Sequence, residues 1–253
     1  MLQVALALKG YSIRAEDGAL GSVSDFLFDD QTWKLRWLVV DTGGWLTGRK
    51  VLIHPSAIGP IDYEREVVPV RLTKIQVEDS PDIAQDRPVS RQMESDLYGY
   101  YGYDPLWGGN LYGMGALAYP LTRRASETDL IEHRGRVDGA DEEDPHLRSV
   151  AEVTGYHVHA TDGEIGHVEN LLIDSQDWNV RYLIVDTSNW WIGKHVLVAP
   201  SAARRISWED RAIEFDITRD QVRSSPPWDP LVEIDRYYEQ RLHSHYGWLG
   251  YGW

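Results

Sequence analysis

The chain contains no cysteine. That excludes disulfides, thiolate nucleophiles and Cys-ligated zinc or iron–sulfur centres, and leaves the redox compartment open. Positive charge is also scarce: 25 Lys plus Arg face 40 Asp plus Glu, for a net charge of −15. A surface that negative repels phosphate backbones, so nucleic acid is not favoured as a partner. Long apolar runs are missing. Trp37 to Val40 and Leu183 to Val185 are strand-sized, far short of the ~18–20 residues of a spanning helix. Val4 to Leu8 is too short for a signal-peptide core and follows no basic residue. These features predict a soluble, cytoplasmic protein that reaches a membrane only indirectly, through a partner. No Gly-rich phosphate loop, nucleophile elbow or HExxH motif occurs. Phenylalanine is rare as well, at 3 residues against 11 Trp and 14 Tyr, so large aromatic side chains with a polar handle carry much of the apolar character.

What is present is a repeat. Shifted by 145 positions, residues 10–57 match 155–202 at 23 of 48 positions without a gap. Gly10-Tyr11 falls on Gly155-Tyr156, Asp17-Gly18 on Asp162-Gly163, and Gly21 on Gly166. Trp33, Arg36, Asp41-Thr42, Trp45 and Gly48 fall on Trp178, Arg181, Asp186-Thr187, Trp190 and Gly193. The offset persists through Thr73, Gln76 and Val77 and pairs Tyr101-Gly102-Tyr103 with Tyr246-Gly247-Trp248. A site built into the module should therefore appear twice.

Each copy reads as short strands separated by turn chemistry. Tyr11 and Ile13 alternate with polar neighbours, and Asp17-Gly18 is a hairpin signal. Val23, Phe26 and Phe28 mark a second strand, and Leu35 to Val40 reads as a central one. A Gly-rich loop from Thr42 to Gly48 leads to Lys50–Ile53, which Pro55 ends. Ile58–Ile61 and Glu66–Val70 suit one more hairpin. Thr73…Gln76 and Thr218…Gln221 fit a capping box. Longer helical patterns cover Ser90 to Tyr101 and Asp229 to His245, the second opened by Asp229-Pro230. The predicted fold class is mainly β: two tandem small barrels, each followed by short helices. The predicted division is 1–103, a linker at 104–150 that is Gly/aromatic and then acidic, and 151–253. The run Asp138 to Asp144 lacks EF-hand spacing and reads as solvated linker. Cores of ~70–80 residues are marginal alone, which favours packing of the copies on each other or on another chain.

The motifs GYSIRAEDGALGSVSDFLFDD…KLRWLVVDTG…VLIHPSA and GYHVHATDGEIGHVENLLIDS…VRYLIVDTS…VLVAPSA resemble the PRC-barrel family over residues 8–78 and 153–223. The resemblance implies a small β-barrel found in the cytoplasmic domain of the photosynthetic reaction-centre H subunit and in a ribosome-maturation factor that binds a ribosomal protein. In both, the barrel serves mainly as a platform for protein contacts. The two copies here are most similar to tandem PRC-barrel proteins of bacteria.

The repeated acids Asp17, Asp41, Asp162 and Asp186, with Gly18 and Gly163, sit at predicted strand ends and turns. Their expected role is structural, with carboxylates accepting turn N–H groups, and no residue is assigned to catalysis. Arg36 and Arg181 are expected on outer strand faces, paired with acids. His157, His159 and His167 have the residue type for zinc, but copy one places Ser12, Arg14 and Ser22 there. No metal and no cofactor is therefore predicted. Trp45, Trp190, Trp191, Tyr101 and Tyr246 are the candidate interaction residues, because exposed aromatics anchor interfaces. The predicted function is a non-catalytic protein-interaction or scaffold protein with a protein partner, with a homo-oligomer left open. By resemblance, its setting is assembly of a photosynthetic or other membrane complex. The alternatives are a ribosome-maturation or RNA-processing accessory factor, and an enzyme with a site in the cleft between the barrels.

Overall fold

Period-two alternation and Gly-bearing turns build the first half from β1 (Leu2–Val4), β2 (Ser12–Ala15), β3 (Gly18–Asp29), β4 (Leu35–Asp41), β5 (Lys50–Ile53) and β6 (Val67–Pro69), then helices α1 (Lys74–Glu78) and α2 (Arg91–Tyr101). The second half contains β7 (Leu147–Ser149), α3 (Val150–Val153), β8 (His157–Ala160), β9 (Gly163–Asp174), β10 (Val180–Asp186), β11 (His195–Val198), β12 (Ala203–Ser207), β13 (Ala212–Phe215), α4 (Arg219–Ser224) and α5 (Arg236–Tyr246). The structure, a computed structural model, describes residues 1–46, 48–81, 91–102, 146–188, 195–230 and 234–249.

One sheet runs β5-β4-β3-β2-β6 and the other β11-β10-β9-β8-β13-β12. Neighbours are antiparallel except for the parallel pairs β2/β6 and β8/β13. A 3-10 turn, Pro55–Ala57, carries the chain off β5, and Gly59 N–H to Pro69 O (2.8 Å) with Arg71 N–H to Ala57 O (2.8 Å) closes the ring. The long strands β3 and β9 each carry an extra residue, Ser24 and Glu169, between paired neighbours. Such bulges bend a 12-residue strand round a small barrel. Gly21 and Gly166 sit where β3 and β9 cross the ends of β4 and β10. A Cβ there would lie 2.0 Å from Asp41 O and 1.9 Å from Asp186 O, so no other residue permits that approach. Both capping boxes form: Thr73 and Thr218 each accept the N–H of the glutamine three residues on, and each glutamine returns a bond to the cap.

The two barrels are not independent. β1 pairs with β9 (Leu2↔Asp174, Val4↔Leu172), and β7 pairs with β3 in the same register (Leu147↔Asp29, Ser149↔Leu27). Each half thus lends its first strand to the other's sheet. The two hairpin tips also meet: Lys34 bridges Asn179, Leu35 N–H donates to Trp178 O and Val180 N–H to Trp33 O, both at 2.8 Å. Behind these contacts one continuous apolar core spans both halves, from Ala5, Leu8 and Ile13 to Val150, Val153 and Ile213.

Three expectations need correction. Residues 146–150, placed in the linker, belong to the folded body, because β7 completes the first sheet. The last helix starts at Arg236 instead of near Asp229, capped by Asp235 Oδ1 on Tyr238 N–H at 2.7 Å. The isolated bridge from His195 to Trp228 keeps the chain extended just before Asp229. Arg36 does not lie on an open face; it is 2% exposed, because α2 covers that side of β4.

Candidate functional site

The face of each central strand is roofed by the helix that follows its barrel. In the first half Glu94 comes down from α2 with no exposure. Its Oε2 accepts from Arg36 Nη2 at 2.6 Å, and its Oε1 accepts from Trp37 Nε1 at 2.6 Å. Arg36 also reaches Asp29 Oδ2 at 3.3 Å. Trp37, Leu97, Tyr98, Leu52 and Leu147 pack round this pair as a second small core. The second half repeats the roof with different chemistry. Tyr182 OH donates to Glu239 Oε1 at 2.9 Å and lies 2.8 Å from His243 Nε2. Arg181 turns instead to Asp174 (3.2 Å) and Asp177 (2.6 Å). Glu94 and Glu239 went unnoticed in the sequence, although the 145 offset aligns them, as it aligns Leu97 with Leu242. Burial pushes the Tyr98 hydroxyl up to about 12.

His54 completes the first roof, its ring 5.6 Å from Trp37 and 5.7 Å from Tyr98. Burial, then the charges of Lys34 and Arg36, lower its pKa from 6.5 to about 4. The unfolded chain therefore takes up this proton before the folded one does. The contribution of neutral His54 is present above pH 6.5 and is lost as pH falls towards 4. After a discount for the ring's partial exposure, the loss is roughly 2 kcal/mol. Urea unfolding at pH 7.5 and 4.5 should show wild type losing more stability than His54→Ala by about that amount. Alanine already fills the matching position, Ala199. Equal losses would remove His54 as the cause.

The repeated acids are occupied by turns and helix starts. Asp17 Oδ1 accepts the Lys74 N–H that opens α1, and Asp162 Oδ1 accepts the Arg219 N–H that opens α4, each at 2.8 Å. Gly18 and Gly163 follow them with φ of 151° and 143°. Asp41 Oδ1 accepts from Gly43 N–H, and Asp186 Oδ1 from Ser188 N–H, again at 2.8 Å. Burial pushes Asp186 up, but the Ser188 N–H and hydroxyl, with His167 and His195 nearby, hold it below the usual carboxylate range. His157 bonds Glu164 at 3.1 Å, His167 lies 3.7 Å from Asp186, and His195 pairs with Glu169 at 3.0 Å. Among the described residues no three His, Asp or Glu side chains converge as a metal site.

The aromatic candidates fall in different places. Trp190 and Trp191 lie outside the described residues. Tyr246 is buried in the continuous core and stacked on Trp248 at 4.2 Å, and burial pushes its hydroxyl up to about 12. Tyr101 is half-buried, packed against both cores, and meets Tyr100 edge-on at 5.0 Å. Trp45 is half-buried, with Lys74 Nζ 4.5 Å above its ring. Arg49 ties this loop to the end of α1 through the carbonyls of Glu78 and Ser80. Beside Lys74 on α1, Ile75 is 66% exposed, and on α2 Tyr100 is 41% exposed. Burial first, then the charge of Asp79 at the end of α1, raises the Tyr100 hydroxyl. In the second half the positions of Ile75 and Tyr100 hold Asp220 and His245. Asp220 pairs with Arg223, and His245 lies 2.7 Å from Gln221 O, so the apolar corner belongs to the first half.

A cleft of about 540 Å³ lies between the halves, lined by Pro55, Pro60, Ile61, Tyr63, Arg71 and Trp178 among others. Burial raises the Tyr63 hydroxyl, and Arg71 is tied to the Ser56 carbonyl. Among the described residues, no helix is long and apolar enough to cross a membrane.

The comparisons agree with this geometry. A 74-residue segment is 35% identical to a protein of Deinococcus radiodurans described as uncharacterized, a match spanning 29% of this chain and 26% of the relative. The model of the PRC-barrel domain matches residues 7–77 and 146–222, more than half of the chain and one segment per barrel. The chain belongs to the PRC-barrel family, with two copies of the domain.

Proposed function

We propose that the protein is a non-catalytic scaffold that holds a protein partner at the apolar corner of its first barrel, in the cytoplasm. PRC-barrel domains often mediate protein interactions. The observation that carries the reading is the exposure of Ile75 on α1 and Tyr100 on α2, with the half-buried Trp45 beneath the neighbouring Lys74. In the second barrel the positions of Ile75 and Tyr100 hold Asp220 and His245 instead. Large apolar side chains left in water are the usual anchors of a contact. The repeated aspartates Asp17, Asp41, Asp162 and Asp186 hold turns and helix starts, which leaves them engaged in the fold. An anionic body with an apolar corner suits a partner with a basic rim round an apolar pocket.

The test is affinity capture from the native host with immobilised wild type, Ile75→Asp, Tyr100→Ala and Trp45→Ala. The first two substitutions change exposed side chains, so both variants should melt close to wild type. A partner held by wild type should fall at least tenfold on Ile75→Asp and on Tyr100→Ala, about the effect of losing one hot-spot side chain. Undiminished recovery on both overturns the assignment of the corner. Turnover of a substrate by the purified protein overturns the non-catalytic reading.

A further inference from the structure

The contacts that join the two halves are related by one operation, the 145-residue offset. β1 on β9 and β7 on β3 share a register. Lys34 bridges its own counterpart, Asn179, flanked by matching 2.8 Å bonds. Asp25 Oδ1 accepts Ala151 N–H at 3.2 Å, and its equivalent Asn170 accepts Leu6 N–H at 3.2 Å, so each long strand clasps the segment that follows the other half's lent strand. Asp30 N–H donates to His146 O and Ser175 N–H to Met1 O, again as a matched pair. The same patch meets itself across an approximate two-fold axis, which is the definition of an isologous dimer interface. Exchange of an identical element between units is a low-cost route to such dimers.

We propose that the joint between the halves is a dimer interface enclosed within one chain, and that its partner is a second copy of this chain: the first half of one molecule can seat the second half of another. The exchanged strands, the hairpin bridge and the two clasps supply every contact this requires, and each is made between residues of different halves. This goes beyond the binding corner and does not depend on it.

Two preparations of the full chain test it, each with a protease site inserted within 103–145 and cleaved after folding. One carries an affinity tag on its first half, the other a different tag on its second. The cleaved halves should co-elute at the size of the intact chain. After the preparations are mixed in equal amounts and held in urea just below the unfolding midpoint, half of the molecules captured by the second tag should also carry the first. Asp25→Ala with Asn170→Ala should raise the dissociation constant of the cleaved halves at least tenfold. Separation of wild-type halves into two folded monomers on cleavage, or no doubly tagged species after mixing, overturns the proposal. The wild-type arms decide this even if the double variant does not fold.

Discussion

Gly166→Ala should leave little folded protein at 37 °C. A methyl group at that position would lie 1.9 Å from the Asp186 carbonyl oxygen and 2.9 Å from its carbon, at a φ of 139°. Both obstacles are backbone, so no side chain can swing away, and β9 must separate from β10 at the centre of the sheet. The expected loss is more than about 4 kcal/mol, in the range reserved for strained or overpacked sites. Gly155→Ala is the control. Gly155 has a φ of 88°, but nothing lies within 4 Å of its added Cβ, so only the conformational cost of about 1–2 kcal/mol remains. Thermal unfolding of the two variants side by side separates steric clash from backbone preference. Similar melting temperatures would mean that the strand crossing tolerates a side chain.

Glu94→Ala should cost about 3–5 kcal/mol, the penalty for a buried ion that loses its partner. The substitution removes the buried carboxylate that pairs with the Arg36 guanidinium beneath α2, where Asp29 at 3.3 Å and the Tyr98 hydroxyl remain, and it takes the acceptor from the Trp37 indole. Glu94→Gln keeps an acceptor for the indole and should fall between alanine and wild type. Glu239→Ala should cost only about 1 kcal/mol, because Glu239 is half-exposed and the Tyr182 hydroxyl retains His243. Urea midpoints for the three variants give the order directly. A loss below 1 kcal/mol for Glu94→Ala would show that α2 contributes little to the stability of the first barrel.

The strands were legible because their signals are local. Alternation at Tyr11 and Ile13, the Asp-Gly pairs and the apolar run from Leu35 to Val40 each specify a few consecutive backbones. The repeat then doubled every signal. The roofing helices were legible as helices, since the Ser90–Tyr101 pattern falls on α2 within a residue. Their buried partners were not: Arg36 and Glu94 are 58 positions apart, and an arginine on a strand carries no mark of what will cover it. The strand exchange was hidden for a related reason. β1 and β7 are three residues each and share only Leu2/Leu147, so neither their length nor their similarity tells which sheet they join. Asp229-Pro230 gave a sound start signal that a tertiary contact at Trp228 overrode. Of the aromatic candidates, Tyr246 is buried because the final helix needs an anchor against the core, while Ile75 and Tyr100, which carry no special pattern, form the outer corner.

The lent strands also dictate an order of events during synthesis. Leu2–Val4 leave the ribosome ahead of the rest of both barrels, yet their neighbours at 172–174 are made about 170 residues later. At ~5–20 residues per second, the opening strand waits on the order of ten seconds or longer with its backbone groups facing water or a chaperone. Over that interval the long central strand of the leading barrel likewise lacks its outer neighbour, an edge open to other nascent chains. Translation speed between the two repeats is thus a variable to which the yield of folded molecules should respond.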